Sequence, residues 1–456
     1  MSSGFVGLIL VLILLVSIIA SRKTVAMFTV ISLIACIYLS GWSFLQTWVQ
    51  ALEDAVVYYV DLLMMLGLFG SVIRLLTVSK GINGFATIVD KICKTDNLTK
   101  FVTHIFGIII FIDDYLNILS VTTVTRPIWD KRKMPREGLA YIVDTTAAPV
   151  AILVPVASWA IFLGTVFYDQ QNVVDLGYGS AFSSYVHCIP FIFYPLILMV
   201  VTFLFDFNIL KPMGGMKKAW KRAKEEGKVY SDDSAKLNTM GEDKIEEGNI
   251  WNFIIPMGVI IVGCFATSKI VASVIAGILV AIVMFVWLPK TRFLSSFEFF
   301  ECVAHGYGDM LPILVQLIVT FQLQMILDQM HFTEWVIEKC EPIMMGWGAV
   351  FPAIVFVLVA FLTFTTGSLW GMCALASPIV FPLAIVAGAN PLLVMGAVAS
   401  GGGFGSHACF YSDATLLTSD TVRINNIEHF TTQLPYVGIT FVVALILHLV
   451  TGFVIA

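Results

Sequence analysis

Long runs of apolar residues, separated by short polar turns, occupy most of the chain. A transmembrane helix needs about 20 apolar residues to cross a bilayer core. Membrane-spanning strands would instead alternate apolar and polar residues over short segments. The pattern predicts an all-α polytopic membrane protein with about 10–13 transmembrane helices. The predicted spans are 4–20, 25–47, 55–78, 101–125, 139–167, 181–207, 251–268, 270–288, 302–328, 344–366, 369–388, 391–412 and 434–456.

One long hydrophilic stretch, residues 208–250, interrupts this pattern. Its mixed charges and its Gly, Ser and Asp residues favour a solvated cytoplasmic linker over a folded domain. The first apolar run has no basic segment before it, so we interpret it as a retained helix and not a signal peptide. The predicted divisions are N-terminal helices (1–54), a first repeat (55–207), the linker (208–250), connecting helices (251–298) and a second repeat (299–456).

Composition agrees with an integral membrane protein: 58% of the residues are hydrophobic, 12% are charged, and the mean hydropathy is +0.91. The net charge is −5, and the cations cluster between spans, which argues against nucleic-acid binding. The eight cysteines are scattered and form no Cys-x-x-Cys pair. They indicate neither a disulfide framework nor a zinc site.

Basic residues predict the topology, because cytoplasmic loops are enriched in Lys and Arg. This rule assigns 21–23, 126–136, the linker and 289–292 to the cytoplasm. Residues 74–100 are also basic, although a single predicted span separates them from 126–136. A re-entrant or broken segment within 79–125 would resolve the conflict, since irregular backbone is tolerated at membrane depth where it lines a cavity.

Three carboxylates, Asp113, Asp114 and Asp144, lie inside apolar runs. An ionised Asp at the centre of a transmembrane helix costs roughly 2.5–3.5 kcal/mol, so such residues usually face a cavity and bind something. The second half carries a comparable Asp413. Each half thus has a polar break in one helix, followed by an Asp next to Thr in a later one. This pairing predicts two inverted-topology repeats with broken helices at the membrane midplane.

The predicted breaks have physical causes. Pro149 removes a helical hydrogen bond after Asp144 and should kink the helix there. The glycines of 401–405 should loosen the backbone ahead of Asp413, and 365–367 should do so at the other break. The result would be carboxylates, hydroxyls and freed carbonyl groups close together, and such oxygen ligands suit a hard cation.

Several segments resemble the NhaC-type sodium/proton antiporter family, within the ion transporter superfamily. The similar segments are FIDDYLN (111–117), REGLAYIVDTTAAPVA (136–151), FTTGSLWGMCALASPIVFPLA (364–384), GGGFGSHACFYSDATLL (401–417) and IEHFTTQLPY (427–436). The resemblance covers roughly residues 60–440. It implies secondary active transport in a bacterial cytoplasmic (inner) membrane, usually sodium/proton exchange, with some relatives moving organic acids or amino acids. It also implies that a homodimer can form.

The chain departs from this family in two places. Where the family shows Gly-Asp-His, this chain has Gly405, Ser406 and His407, so one carboxylate is missing. The span 302–328 also carries three glutamines in a region that the family keeps apolar: Gln316, Gln322 and Gln324. These amides bond to one another across helices or recognise a solute. Sodium- or proton-coupled transport of an amino acid or carboxylate therefore remains the alternative function.

We expect sodium and protons to compete for shared carboxylates, because adjacent like charges in a desolvated site favour protonation of at least one of them. Sodium and protons are the expected ions, the bilayer is the expected surroundings, and no other cofactor is expected. The expected ion- and proton-binding residues are Asp113, Asp114, Asn117, Asp144, Thr145, Thr146 and Asp413, with the four aspartates as sodium ligands. The expected substrate-binding residues are Thr365, Thr366, Ser368, Ser406, His407, Ser412 and Gln322.

Structural roles compete with these assignments. An Asp at a helix break can simply cap the next helix, and a buried glutamine can serve as an interhelical hydrogen-bond partner. Ser406, His407 and Asp413 are also the residue types of a hydrolase triad. Neighbours in sequence rarely form a triad, and no GxSxG elbow is present, so we expect a transporter and not an enzyme.

Overall fold

A computed structural model describes residues 2–21, 23–238 and 248–455. These residues form helices and loops without any strand, as the sequence predicts. Nine stretches are long and apolar enough to cross a membrane within these ranges, or ten when the bent pair Ala181–Phe191 and Phe193–Asp206 counts as one span. Ten is the lower end of the predicted range of about 10–13, and nine lies just below it. Arg22, in the predicted turn 21–23, and residues 239–247 of the linker lie outside the described residues.

The described ranges contain twenty-four α-helices. Those ahead of the linker are α1 Ser3–Ser21, α2 Thr24–Ser40, α3 Phe44–Tyr58, α4 Val60–Val78, α5 Ala86–Ile92, α6 Asp96–Ile109, α7 Asp114–Lys131, α8 Arg136–Thr146, α9 Ala148–Leu153, α10 Ser158–Tyr168, α11 Gln171–Val174, α12 Ala181–Cys188 and α13 Phe193–Asp206. Those of the linker and beyond are α14 Gly214–Glu226, α15 Trp251–Thr267, α16 Ile270–Ile282, α17 Ser296–Asp309, α18 Leu311–Gln329, α19 Phe332–Met344, α20 Phe351–Thr366, α21 Leu369–Ala387, α22 Pro391–Ala408, α23 Asp413–Val422 and α24 Asn426–Ile455.

Helices α6 and α7 form a re-entrant hairpin, which we call hairpin 1, with its tip at residues 110–113. The guanidinium of Arg132, just after α7, bonds to the carboxylate of Asp96 at the start of α6, 2.8 Å away. The chain therefore enters and leaves on one side, and the prediction of a single span over 101–125 is wrong. This return places 74–100 and 126–136 on the same side and removes the topology conflict.

Helices α20 and α21 form a second hairpin, hairpin 2, with its tip at Gly367 and Ser368. Gly367 has φ +69°, a left-handed conformation that glycine adopts without strain, so it ends α20. At the other end the two arms meet closely, since a Cβ on Gly348 would lie 2.5 Å from the carbonyl oxygen of Gly388. The predicted spans 344–366 and 369–388 are therefore the two arms of one hairpin.

Each half also contains an interrupted helix. In the first half α8 ends at Thr146 and α9 starts at Ala148, so Pro149 lies in the first turn of α9, where its missing N–H is harmless. In the second half α22 ends at Ala408 and α23 starts at Asp413. Both predicted spans, 139–167 and 391–412, are thus broken beside their Asp.

The glycines of 401–405 do not loosen the backbone, and that prediction is wrong. They lie inside the continuous helix α22. A Cβ on Gly401 would lie 2.8 Å from the carbonyl oxygen of Phe356, and one on Gly405 would lie 2.3 Å from the Cβ of Thr363. The missing side chains let hairpin 2 pack directly onto α22. Close packing through small residues is a common way for helices to associate in membranes.

The two halves have inverted orientations, as the contacts of the linker with α8 and α23 indicate. Residues 208–238 are folded onto the protein instead of being fully solvated. The Val229 carbonyl accepts from the N–H of Arg136 at the start of α8, beside the base of hairpin 1. The Asn238 side chain donates to the carbonyl of Arg423 at the end of α23. Because α22–α23 runs from the base of hairpin 2 to this linker, the bases of the two hairpins lie on opposite sides.

Candidate functional site

The tips of both hairpins and the break before α23 open into one cavity of about 680 Å³. Its wall includes Asp113, Asp114 and Tyr115 from hairpin 1, Thr366, Gly367, Ser368, Leu369 and Trp370 from hairpin 2, and Ser406, Tyr411, Asp413, Ala414 and Leu416 around the break. The remaining wall residues include Trp159 of α10, Gln316 of α18, and Asp309 and Met310 between α17 and α18. The two halves therefore build this site together.

Asp113 is the N-cap of α7 and is fully engaged by the protein. One carboxylate oxygen accepts from the backbone N–H groups of Tyr115 at 3.0 Å and Leu116 at 3.5 Å. The other oxygen accepts from the hydroxyl of Ser158 at 3.0 Å. The backbone N–H of Ser158 in turn donates to Ile112 at the tip. Asp113 thus holds the tip of hairpin 1 against the start of α10.

Asp114 lies beside Asp113 and is only 3% exposed, yet it has fewer partners. One of its oxygens accepts from the N–H of Tyr115 at 3.1 Å. The indole of Trp159 approaches Asp114, but its buried N–H completes no hydrogen bond. Asp114 is therefore the buried carboxylate of this cavity with spare capacity to bind a cation or a proton.

Asp413, from the second half of the chain, lines the same cavity. It is the first residue of α23, directly after the N-cap Ser412, and its side chain is exposed to the cavity. The hydroxyl of Tyr115 donates to Asp413 over 3.3 Å, which joins hairpin 1 to α23. Both Asp114 and Asp413 occupy first helical turns, where the partial positive charge of the helix end stabilises a carboxylate.

Hairpin 2 supplies neutral polar and aromatic groups. The side-chain amide of Gln316 donates to the hydroxyl of Ser368, the N-cap of α21, at 2.5 Å. The ring of Trp370 stacks on that of Trp159, with centroids 3.9 Å apart. Tyr411 packs beside Gly367, and its hydroxyl donates to the carbonyl of Thr365 at 2.6 Å. The cavity therefore has an aromatic wall beside its carboxylates.

Asp144 does not line this cavity but forms a separate buried cluster. Its carboxylate lies 3.1 Å from Nε2 of His429, 4.0 Å from Nε2 of His407 and 3.4 Å from the hydroxyl of Thr415. His407 also bonds to the hydroxyl of Tyr194 at 2.8 Å. All of these groups are buried. The cluster joins α8 to α22, α23 and α24 near the two helix breaks.

Asn117 connects hairpin 1 to the break after α8. Its amide donates to the carbonyl oxygens of Gly107, Ile110 and Thr146 at 2.6–3.0 Å. Asn117 thus satisfies carbonyl groups that two helix ends leave free. The hydroxyl of Thr146 bonds within its own helix, whereas the buried hydroxyl of Thr145 has no partner.

Of the predicted substrate-binding residues, some line the cavity and others do not. Thr366, Ser368 and Ser406 line the cavity, whereas Thr365 bonds back to Phe361 in its own helix. Ser412 caps α23 and bonds to the carbonyl of Ser406. Gln322 donates to the carbonyl of Trp48 and serves as an interhelical partner.

The structure therefore brings Asp113, Asp114 and Asp413 to one cavity and places Asp144 elsewhere. No group of three or more His, Cys, Asp or Glu residues positioned to hold a metal ion occurs among the described residues. The four aspartates do not form a single sodium site. A hydrolase triad is also not assembled in the described part of the chain, since His407 faces Tyr194 and Asp144 while Asp413 bonds to Tyr115.

Sequence reasoning missed the aromatic wall and the partner of Asp144. The missed residues are Tyr115, Ser158, Trp159, Trp370, Tyr411 and His429. Tyr115 and His429 stand within segments that carry the family resemblance, which was the available signal. Trp370 and Tyr411 also stand within such segments, whereas Trp159 lies in an apolar run, where an aromatic residue is usually a core residue.

Comparisons with known proteins place this fold among membrane transporters. An uncharacterised protein of Haemophilus influenzae is 25% identical, over 99% of this chain and 92% of the relative. Two solved structures are similar in fold. Neisseria gonorrhoeae MtrF, reported with a class of antimetabolite efflux pumps, has a TM-score of 0.64 and 15% identity over 90% of this chain and 84% of its own. The Alcanivorax borkumensis YdaH transporter, reported for its unusual topology, has a TM-score of 0.60 and 14% identity over 91% of this chain and 89% of its own.

The Na+/H+ antiporter family matches residues 139–453, about two thirds of the chain. This range contains hairpin 2 and the interrupted helix α22–α23, together with most of α8 and of α24. Hairpin 1 precedes it, and its tip completes the cavity that the matched region forms. From this match, and from the helical fold around that cavity, the chain belongs to the Na+/H+ antiporter family and is a multi-pass secondary transporter.

Proposed function

We propose that this protein exchanges a cation, with sodium as the simplest case, for protons across a bacterial cytoplasmic membrane. The observation that carries the proposal is the cavity shared by both hairpin tips. Four aspartates line it, and none of its described wall residues is Lys, Arg or His. Asp309 is paired with Arg74 at 3.6 Å, which leaves Asp113, Asp114 and Asp413 without a basic partner there.

An uncompensated negative charge in a low-dielectric site attracts either a cation or a proton. Ionised carboxylates that are buried without a partner are strongly unfavourable. Asp113 is stabilised by its three hydrogen bonds, so the exchangeable charge lies on Asp114 and Asp413. A proton neutralises these groups in one state, and a cation does so in the other.

This competition gives exchange when the loaded site opens to one side at a time. The chain turns back at each hairpin tip, and the bases of the two hairpins lie on opposite sides, so the two tips reach the cavity from opposite sides. Movement of one half relative to the other would open the site alternately, as in other transporters built from inverted repeats. The empty, charged site is the least stable form, so the site rarely changes sides without a bound cation or proton. This requirement couples cation movement to proton movement.

The test is made on purified protein in liposomes with an acidic interior, while lumenal pH is followed. Sodium, lithium or potassium is added outside, one at a time. We expect sodium to make the interior alkaline, and we expect Asp114→Asn and Asp413→Asn to abolish the response. Asp61→Asn, on the exposed surface of α4, is the matched control and should respond like the unchanged protein. A full sodium response in both cavity variants would disprove the proposal.

A second candidate, coupled transport of an organic solute, is favoured by the size of the cavity. A volume of about 680 Å³ lies within the roughly 300–1,000 Å³ typical of pockets for small organic molecules. Adding labelled amino acids and carboxylates to the same liposomes separates the candidates. Uptake of such a solute, with no response to any inorganic cation, would favour the second function.

A further inference from the structure

We propose that the cavity transports an organic cation besides sodium: an ammonium ion attached to an apolar body. This inference rests on the proposed cation/proton exchange and assigns a substrate class to the same cavity. Two features of the wall carry it, namely its charge and its aromatic side.

The charge of the wall opposes an anionic solute. Asp114 and Asp413 face the cavity, and no basic side chain stands among the described wall residues to bind a carboxylate. Three helices, α7, α21 and α23, begin at the cavity and could attract an anion. Their first turns are already occupied by the caps Asp113, Ser368 and Ser412. A positively charged group is therefore the complement of this site.

The aromatic wall opposes an inorganic cation as the sole occupant. Trp159 and Trp370 stack together, and Phe162 packs against both, with its centroid 4.6 Å from that of Trp370 and 6.3 Å from that of Trp159. Met310 and Leu369 extend this apolar surface. A sodium ion requires oxygen ligands on all sides and gains nothing from such a wall. An organic cation places its charge toward Asp114 and buries its apolar body against the tryptophans.

Trp159 links the acidic and the aromatic parts of the wall. It is 3% exposed and lines the cavity, and its indole approaches the carboxylate of Asp114. An ammonium group held by Asp114 would therefore lie beside the tryptophan pair, where the apolar body attached to it can contact these rings.

The probe for the test is benzyltrimethylammonium, a permanent cation that cannot itself carry a proton through lipid. Phenylacetate, an anion of similar shape, is the matched comparison. Binding of each labelled compound to the purified protein is measured, together with lumenal pH in acid-loaded liposomes. We expect benzyltrimethylammonium to bind, to compete with sodium and to make the interior alkaline. Phenylacetate should do none of these.

Variants of the wall locate the binding. Trp370→Ala should weaken benzyltrimethylammonium binding roughly tenfold, which corresponds to about 1.4 kcal/mol. Trp370→Phe retains an aromatic ring and should bind nearly normally, which guards against a folding defect in the alanine variant. Trp347→Ala is the matched control, because Trp347 is exposed and lies outside the cavity.

The outcomes separate this inference from the proposed exchange. A sodium response that Asp114→Asn abolishes, with no binding of benzyltrimethylammonium, would overturn the substrate class and leave the exchange standing. Asp114-dependent binding of benzyltrimethylammonium, with no pH response to any cation, would overturn the exchange and leave the substrate class standing. Tighter binding of phenylacetate than of the cation would overturn the inference outright.

Discussion

Asp113 and Asp114 are neighbours in sequence, yet their surroundings give them different roles. Asp113 caps α7 and accepts from Ser158, so its part is structural. We expect Asp113→Ala to lower the free energy of unfolding by about 1 kcal/mol, the usual effect of losing an N-cap. Asp113→Asn should retain most of that stability, since Asn also caps helices well. Thermal unfolding in detergent measures both, and equal losses would argue against the capping role.

The buried contact between Asp144 and His429 contributes to the stability of the protein. His429 is buried and lies 3.1 Å from the carboxylate of Asp144. We expect His429→Leu to destabilise the protein by roughly 1–3 kcal/mol, because it leaves a buried polar group without its hydrogen bond. The double variant with Asp144→Leu should recover part of that loss. No recovery in thermal unfolding would mean that the two residues are not coupled.

The individual carboxylates could be predicted from sequence because charge inside an apolar run is conspicuous. Their grouping could not. Asp144 and Asp413 each stand within two residues of a Thr in corresponding helices, yet Asp144 precedes its helix break while Asp413 follows its own. This difference sends one side chain to the buried histidines and the other to the cavity. Gln316 and Gln322 are equally polar in sequence, and only three-dimensional packing shows that Gln316 alone reaches the cavity.

At the scale of elements, hairpin 2 depends on the glycine face of α22. A Cβ on Gly405 would lie 2.3 Å from the Cβ of Thr363. We expect Gly405→Val to force α20 away from α22 and to destabilise the protein by about 1–3 kcal/mol, the usual effect of overpacking. Gly438→Val is the control, because nothing lies within 4 Å of a Cβ at Gly438 in α24. Yield and thermal stability after detergent extraction compare the two, and equal tolerance would contradict the packing.

The helix breaks could be predicted from sequence, but the return of the chain at each hairpin tip could not. A polar interruption in an apolar run looks the same whether the chain continues across the membrane or turns back. Only the positive-inside conflict at 74–100 indicated a re-entrant segment, and hairpin 2 has no basic flanks to give such a signal. Thus the sequence predicts 344–366 and 369–388 as two spans, although they are two arms of one element.

For the whole molecule, the inverted arrangement predicts which loops share a side of the membrane. Lys94 and Lys133 flank hairpin 1 and are exposed. We expect cysteines introduced at these two positions to react with an impermeant maleimide from the same side. Met345→Cys, at the exposed base of hairpin 2, should react only from the other side. The background variant carries Cys302→Ser and Cys340→Ser, and labelling of Lys94→Cys and Lys133→Cys from opposite sides would contradict the re-entrant hairpin.

Coupling of a cation to protons in the acidic cavity can be followed through the movement of the cation itself. Liposomes containing the purified protein are given an acidic interior, and uptake of labelled sodium from outside is measured with and without a protonophore. We predict uptake that stops when the pH gradient is collapsed and is lost in Asp114→Asn. Sodium uptake that is indifferent to both the gradient and Asp114 would contradict the account.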